Sequence, residues 1–493
     1  MASKTTASHI NKSGFRFDTT YLLLPEHFYT ICNPTPVSAP DTVIVNHALA
    51  KAMGLTLDEL SPSTLTDLLA GNTFPSDATP FAQAYAGHQF GHFTMLGDGR
   101  AHVLGEHMTP DGERLDIQFK GSGRTPYSRR GDGRASLGPM CREYIMSEAM
   151  HALGIPTTRS LGVVTSGEDV FRETTYPGAI LTRVAQSHLR VGTFEYAAST
   201  QEKTMVEALL HYAIERHCPE KATDDNPALS FLMHVMDQQI DLIVHWMRVG
   251  FIHGVMNTDN MAIAGETIDY GPCAFMDAYD PDTVFSSIDQ MGRYAYKNQP
   301  MIAQWNLVRL AETLLPLIDS NLDHAIELAK DHLGSFTDTY NQRWTDMMKG
   351  KLGLLNHHPV DPKLITDLLS LMHKHSLDYT ITFQHLSQAT GSPQDLCNQP
   401  QFIDWHRRWE ARLTMNDAPI DMAREVMNQH NPVVIPRNHH VEHALSEVVA
   451  GNDQPMLDLL TVLKTPYKNT NLTAHYQDPP PPTDVPYQTF CGT

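Results

Sequence analysis

The sequence predicts an α+β chain of two lobes, a strand-rich one followed by a larger, mainly helical one. Three observations carry this reading. Between residues 96 and 186, short alternating or apolar runs are separated by turn signals, with a single helix among them. Beyond residue 190 the helical period dominates. A chain of 493 residues also exceeds what one core of typical size holds.

In the first lobe, the turn Leu96-Gly97-Asp98-Gly99-Arg100 leads into a strand at 101–105. The turn Pro110-Asp111-Gly112 then leads into 114–120, which alternates with period two. A loop rich in glycine and arginine fills 121–138. Residues 139–153 form a helix, with Pro139 at its first position, Gly154 as its cap and Pro156 just beyond. Strands follow at 161–165 and 179–184, with turns at Ser166-Gly167 and Tyr176-Pro177-Gly178. The longest helix is 228–249, capped by Gly250, and helical patterns return at 300–348, 362–376 and 437–465. Residues 1–95 read as an irregular N-terminal extension with short helical stretches, 96–190 as the strand lobe and 191–477 as the helical lobe. Residues 478–493, containing Pro479 to Pro482, read as a flexible polyproline tail held out from the core.

Composition excludes several classes. Apolar content of 41% and charged content of 19% are those of a soluble globular protein. A formal net charge of −20 argues against a nucleic-acid partner, because phosphate repels such a surface. No apolar segment follows Met1-Ala2-Ser3-Lys4-Thr5, and no run approaches the ~18 apolar residues of a membrane span. The six cysteines are scattered without a C-x-x-C pair, which suits a reducing compartment, and the cytoplasm is the expected location.

Three signals carry chemistry. After the longest helix, a polar loop leads through a short apolar strand at 261–264 to a second turn, so that Asn260 and Asp269 face one point. Mg²⁺ takes oxygen ligands, few from protein and the rest from phosphate and water, and one amide with one carboxylate suits it. The alternative is a surface hairpin with two unrelated polar turns. Second, Lys120 ends a strand about twenty residues after the Gly97-x-Gly99 turn. Glu143 lies on the apolar face of the following helix, where an acid needs a partner, and Lys120 is the candidate. A Glu143 that reaches solvent at the rim is the alternative. Third, Arg114, Lys120, Arg124, Arg129, Arg130 and Arg134 crowd into one glycine-rich stretch against Asp116 and Asp132, a composition that wraps polyphosphate. Arg183 and Arg190 follow where the two lobes meet. A solvated basic face is the plainer reading.

Glycine hairpin, strand lysine, acid-bearing helix and paired metal turns, in this order, are the parts of a protein-kinase-like fold. The stretches Gln89-Phe90-Gly91-His92-Phe93, Leu96-Gly97-Asp98-Gly99-Arg100, Phe119-Lys120-Gly121-Ser122-Gly123-Arg124-Thr125-Pro126-Tyr127-Ser128-Arg129 and Asn257-Thr258-Asp259-Asn260 resemble the selenoprotein O family of protein adenylyltransferases. The resemblance implies an enzyme that binds ATP reversed relative to ordinary kinases and transfers AMP to Ser, Thr and Tyr hydroxyls of proteins. It implies that Gly97, Gly99, Arg100, Lys120, Asp132, Gly133, Arg183 and Arg190 hold the nucleotide. Asn260 and Asp269 would hold Mg²⁺, Asp259 would be the base, and Glu143 would pair with Lys120. Some members of that family carry selenocysteine near the C-terminus, from which a bridge between Cys491 and Cys273 under oxidation is expected. An inert tail thiol beside a buried small hydrophobe is the alternative.

One departure from kinases is visible without the resemblance. Kinase catalytic loops place Asp two residues after His and Asn seven after it. His253 and Asn260 keep that spacing, but Val255 stands at the base position and accepts no proton. Asp259 is the nearby carboxylate. Three alternatives stay open: a nucleotide-binding scaffold without turnover, UMP transfer with Mn²⁺, and a small-molecule phosphotransferase of the aminoglycoside-kinase type. His88 with His92, and His439 with His443, have the spacing of metal ligands on a helix face, but 27 histidines produce such pairs by chance. Neither a Gly-x-Ser-x-Gly elbow nor a P-loop occurs.

Overall fold

The computed structural model describes residues 12–388, 396–481 and 487–489. Its centre is a nine-stranded antiparallel sheet whose main path runs Tyr29–Ile31, Phe81–Gln83, Ala101–Met108, Arg114–Lys120, Thr175–Ala185, Arg159–Phe171 and Asp41–Val45. Phe17–Asp18 pairs on Ala101–Met108, and Ala135–Ser136 on Thr175–Ala185.

Strand parity decides what each face does. Lys120 stands opposite Leu181, and Gln118 opposite Arg183, so Gln118, Lys120 and Arg183 share one face. Ile117 and Phe119 point the other way. They join a second apolar cluster with Leu104, Leu161, Ile180 and Val184. That cluster is closed by Leu49, Leu57, Leu68 and Leu69, from the N-terminal stretch that holds the helices His47–Ala52 and Pro62–Leu69. The first face carries the helix Leu137–Ala152, whose Ile145, Met146 and Ala149 lie in the main core.

After Ala185 the chain turns helical. Pro227–Val249 is the longest helix, with Asn226 capping its first turn and Gly250 ending it at φ 73°. Gln299–Ile318, Leu322–Gly334 and Phe336–Leu352 follow in series. No helix among the described residues is long and apolar enough to cross a membrane.

Four expectations are corrected. Residues 17–95 are no irregular extension: four of the sheet's strands come from them, and Ala86–Gln89 with His92–Met95 forms a separate hairpin. These strands are two to five residues long, too short for a period-two pattern to register. Ser166-Gly167 is not a turn but part of a bulge inside Arg159–Phe171. Glycine at φ 69° absorbs the irregular register there, and Pro177 and Gly178 continue the partner strand. Residues 261–264 form no strand, only a bridge from Ala262 to Arg190.

The tail is the fourth correction. Tyr487 Oη donates to Glu442 at 2.5 Å, and Thr489 Oγ1 donates to the Pro272 carbonyl at 2.7 Å. Thr489 is buried and bridges to Ser286, so residues 487–489 are docked on the helical half rather than held out from it.

Candidate functional site

The basic sheet face, the Gly97–Arg100 turn and the loop 127–134 form one wall of a cleft of about 550 Å³. Residues 255–272 form the other. That volume suits a nucleotide. Gly97, Gly99, Arg100, Lys120, Asp132, Gly133, Arg183, Arg190, Asp259, Asn260 and Asp269 all line it. Glu143 stands behind this wall, bonded to its cations.

An ion network joins the walls. Lys120 Nζ donates to Glu143 Oε2 at 2.6 Å and to Asp269 Oδ1 at 2.8 Å. Arg183 bonds the same two acids, Glu143 through Nε at 2.7 Å and Asp269 through Nη2 at 2.6 Å. Arg190 Nη2 lies 3.6 Å from Asp269 Oδ2. Burial alone would push the Glu143 carboxyl up. Arg183 and Lys120 overcome it and hold the group below its ordinary range. Burial is likewise outweighed at Asp269, by Arg183, Lys120 and Arg190, so that carboxyl sits well below its usual value. Three buried cations face two ionised carboxylates, which leaves positive charge on this wall.

The glycines serve packing as well as any ligand. A Cβ on Gly97, at φ 129°, would lie 2.8 Å from Tyr127 Cβ, and one on Gly99 would lie 3.0 Å from the Tyr127 carbonyl. The turn is therefore pressed onto the arginine-rich loop, which Thr125 Oγ1 ties to the Asp98 carbonyl at 2.6 Å. Asp132 is held by Arg172 at 2.7 and 3.0 Å, and this bond lowers its carboxyl. The basic cluster divides: Arg129 and Arg134 line the cleft, Arg134 also bonding Glu168 at 3.3 Å, whereas Arg114 lies outside it and bonds Asp18 at 2.8 Å. Arg114 sits at the far end of its strand from Lys120 and belongs to a structural network with Glu106 and Asp18.

On the opposite wall Asp259 is 9% exposed, and its Oδ1 has no hydrogen-bond partner. Burial raises its carboxyl to about 6. Asn260 spends its amide nitrogen on the Val255 carbonyl at 2.9 Å, which leaves its oxygen for a ligand. Val255 lines the cleft where the sequence reading placed it. No group of three or more His, Cys, Asp or Glu forms a ready metal cage among the described residues. An oxygen pair such as Asn260 and Asp269 fits a hard cation that takes its other ligands from phosphate and water.

Several site residues escaped the sequence reading. Tyr85 lies under Arg190, whose guanidinium carbon is 4.3 Å from the ring centroid, and Asp98 is buried 3.9 Å from the same arginine. Gln89 and Phe90 line the cleft beside Asp259. Their signal was the Gln89-Phe90-Gly91-His92-Phe93 stretch, which had been noted without a role. His88 and His92 lie on paired strands, not on a helix face, and His88 Nδ1 is bonded to Glu195 at 2.5 Å. Cys273 is buried, its thiol pushed up by burial to about 11, and its carbonyl accepts from Arg142 at 2.8 Å. Cys491 lies outside the described residues.

The cleft sets buried cations against a carboxylate, an amide and an acid with one unbonded oxygen, a composition compatible with phosphate chemistry. Residues 12–464 match the family described as Protein adenylyltransferase SelO. The chain is 54% identical over 491 residues to "Protein nucleotidyltransferase YdiU" of Syntrophotalea carbinolica, covering 99% of this chain and 100% of the relative. It is 56% identical over 494 residues to the protein of the same name from Nitrosococcus oceani, covering 100% of both. The chain belongs to the SelO family of protein adenylyltransferases and is an enzyme of the nucleotidyltransferase class. The reading as a scaffold without turnover gives way to this.

Proposed function

We propose that the protein has a kinase-like fold and transfers AMP from ATP, with Mg²⁺, to Ser, Thr or Tyr hydroxyls of proteins. The observation that supports this reading is on one wall of the cleft. Val255, two residues after His253 at the sequence spacing of a kinase base, lines the cleft together with Asp259, whose Oδ1 has no hydrogen-bond partner, and Asn260. The basic wall receives the outer phosphates, so that they leave as pyrophosphate. Lys120, Arg183 and Arg190 orient the nucleotide and offset the charge that builds on the leaving oxygens. Asp259, ionised above about pH 6, orients the acceptor hydroxyl and takes its proton as the new phosphoester bond forms. Asn260 and Asp269 would hold Mg²⁺, which when bound neutralises phosphate charge.

Mn²⁺ with UTP offers the same site the same phosphate chemistry, and the test separates the two donors. Protein acceptors are incubated with ATP or UTP, each with Mg²⁺ or Mn²⁺, and weighed intact by mass spectrometry. The proposal predicts AMP adducts with ATP and Mg²⁺ that are absent in Asp269→Ala. UMP adducts alone would contradict the choice of donor.

A further inference from the structure

Three elements converge on Asp259: the hairpin strand Ala86–Gln89, the first turn of the helix Val191–Ser199 and the 3-10 turn Thr258–Asn260. Two glycines permit the approach. A Cβ on Gly87 would lie 2.9 Å from Asp259 Cβ and would overlap its Oδ1. One on Gly192 would lie 3.3 Å from Asp259 Cα and would overlap the Ala86 carbonyl.

The residues before Asp259 are then clamped from the hairpin. Thr258 Oγ1 accepts the His88 backbone N–H at 2.6 Å and donates to Glu195 Oε2 at 2.5 Å. Glu195 Oε1 bonds His88 Nδ1 at 2.5 Å. Asn257 Oδ1 accepts the Phe90 N–H at 3.0 Å and the Tyr294 hydroxyl at 2.6 Å. Thr258 and Glu195 are both buried, so each bond is made where leaving it unmade is costly. The frame holds the turn that carries Asp259, whose Oδ1 bonds nothing and packs against Gly87, while Gln89 of the same hairpin hydrogen-bonds the carboxyl.

We infer that His88, Glu195 and Thr258 are positioning residues that fix the turn and so aim Asp259 at the acceptor. The role rests on the transfer reading above, in which Asp259 is the base. It gives the Gln89-Phe90-Gly91-His92-Phe93 stretch a purpose apart from nucleotide binding: the hairpin is the jig for the base. A displacement of about 1 Å at a reacting group costs on the order of 10²-fold in rate.

Thr258→Val keeps the side-chain shape and removes the hydroxyl that joins the His88 amide to Glu195, whereas Thr258→Ser keeps the hydroxyl. The expected result is a kcat lowered roughly ten- to a hundredfold in Thr258→Val. KM for ATP and binding of a fluorescent ATP analogue should be unchanged, and Thr258→Ser should sit near the wild-type rate. Amide exchange at residues 257–260 should quicken in the valine variant and not in the serine one. Gly87→Ala, which pushes on Asp259 directly from the hairpin strand, should lower kcat in the same way and carries the test if Thr258→Val fails to fold. A wild-type kcat with unchanged exchange overturns the inference. So does a loss shared equally by nucleotide binding, or a serine variant no better than the valine. If the wild-type protein transfers nothing, the transfer reading fails, and the exchange comparison alone decides the clamp.

Discussion

One ammonium, Lys120, stands between the carboxylates of Glu143 and Asp269, and Arg183 bonds both. Glu143→Gln leaves Lys120, Arg183 and Arg190 facing Asp269 alone. It should lower stability by roughly 3–5 kcal/mol in denaturant unfolding and lower the transfer rate with it. Lys120→Ala should lower transfer by roughly 10²–10³-fold, and a near-normal rate would remove Lys120 from the site. Asp269→Ala should abolish metal-dependent binding of an ATP analogue.

A different acid sets a pH dependence of stability. Glu266 is buried with its carboxyl raised by that burial from 4.5 to about 8, and it accepts the Gln186 N–H at 3.0 Å. The folded state holds a proton there that the unfolded chain sheds above about 4.5. Stability is therefore fully present below that pH and is lost as pH rises through about 8. Glu266→Gln should melt with the wild type near pH 5 and above it at pH 9, by on the order of a few kcal/mol. Equal melting at both would refute it. The Lys120–Glu143 pair was legible in the sequence because strand parity and helical period each placed one partner. Tyr85, Gln89 and Glu195 were not, because their contacts with Arg190, Asp259 and Thr258 join segments about 63 to 170 residues apart, with no local pattern to mark them.

Among the elements, the long ones were readable. Pro227–Val249 carries an Asn226 cap, an apolar period and a terminating glycine together, and Leu137–Ala152, which starts two residues before the expected Pro139, is followed by Gly154 and Pro156. The short strands of residues 17–95 carry none of these, and tertiary pairing makes them. The tail misled for a related reason: the Pro479–Pro482 run marks extended chain, but not what the chain beyond it touches. Tyr487 bonds Glu442 and Arg142, and Thr489 bonds the Pro272 carbonyl three residues from Asp269. Tyr487→Phe removes the hydroxyl and should lower stability by about 1 kcal/mol. An unchanged melting curve would mean that the docked tail adds nothing to the fold.

At the scale of the whole molecule, a chain of net charge −20 sets three buried cations, Lys120, Arg183 and Arg190, at the cleft between sheet and helices. Field lines are focused where a polyanion would enter, and the acidic exterior repels other anions. The sequence made this visible as basic density in an acidic protein. It did not separate Arg129 and Arg134, which line the cleft, from Arg114, which holds the fold. The central claim is that the basic wall takes the outer phosphates and the α-phosphate faces Asp259. The direct measurement offers the protein Mg²⁺ with ATP labelled at either the α or the γ position, with itself or a lysate as acceptor. Label should enter protein only from the α position and should vanish in Asp259→Ala. Label entering from the γ position would contradict the account.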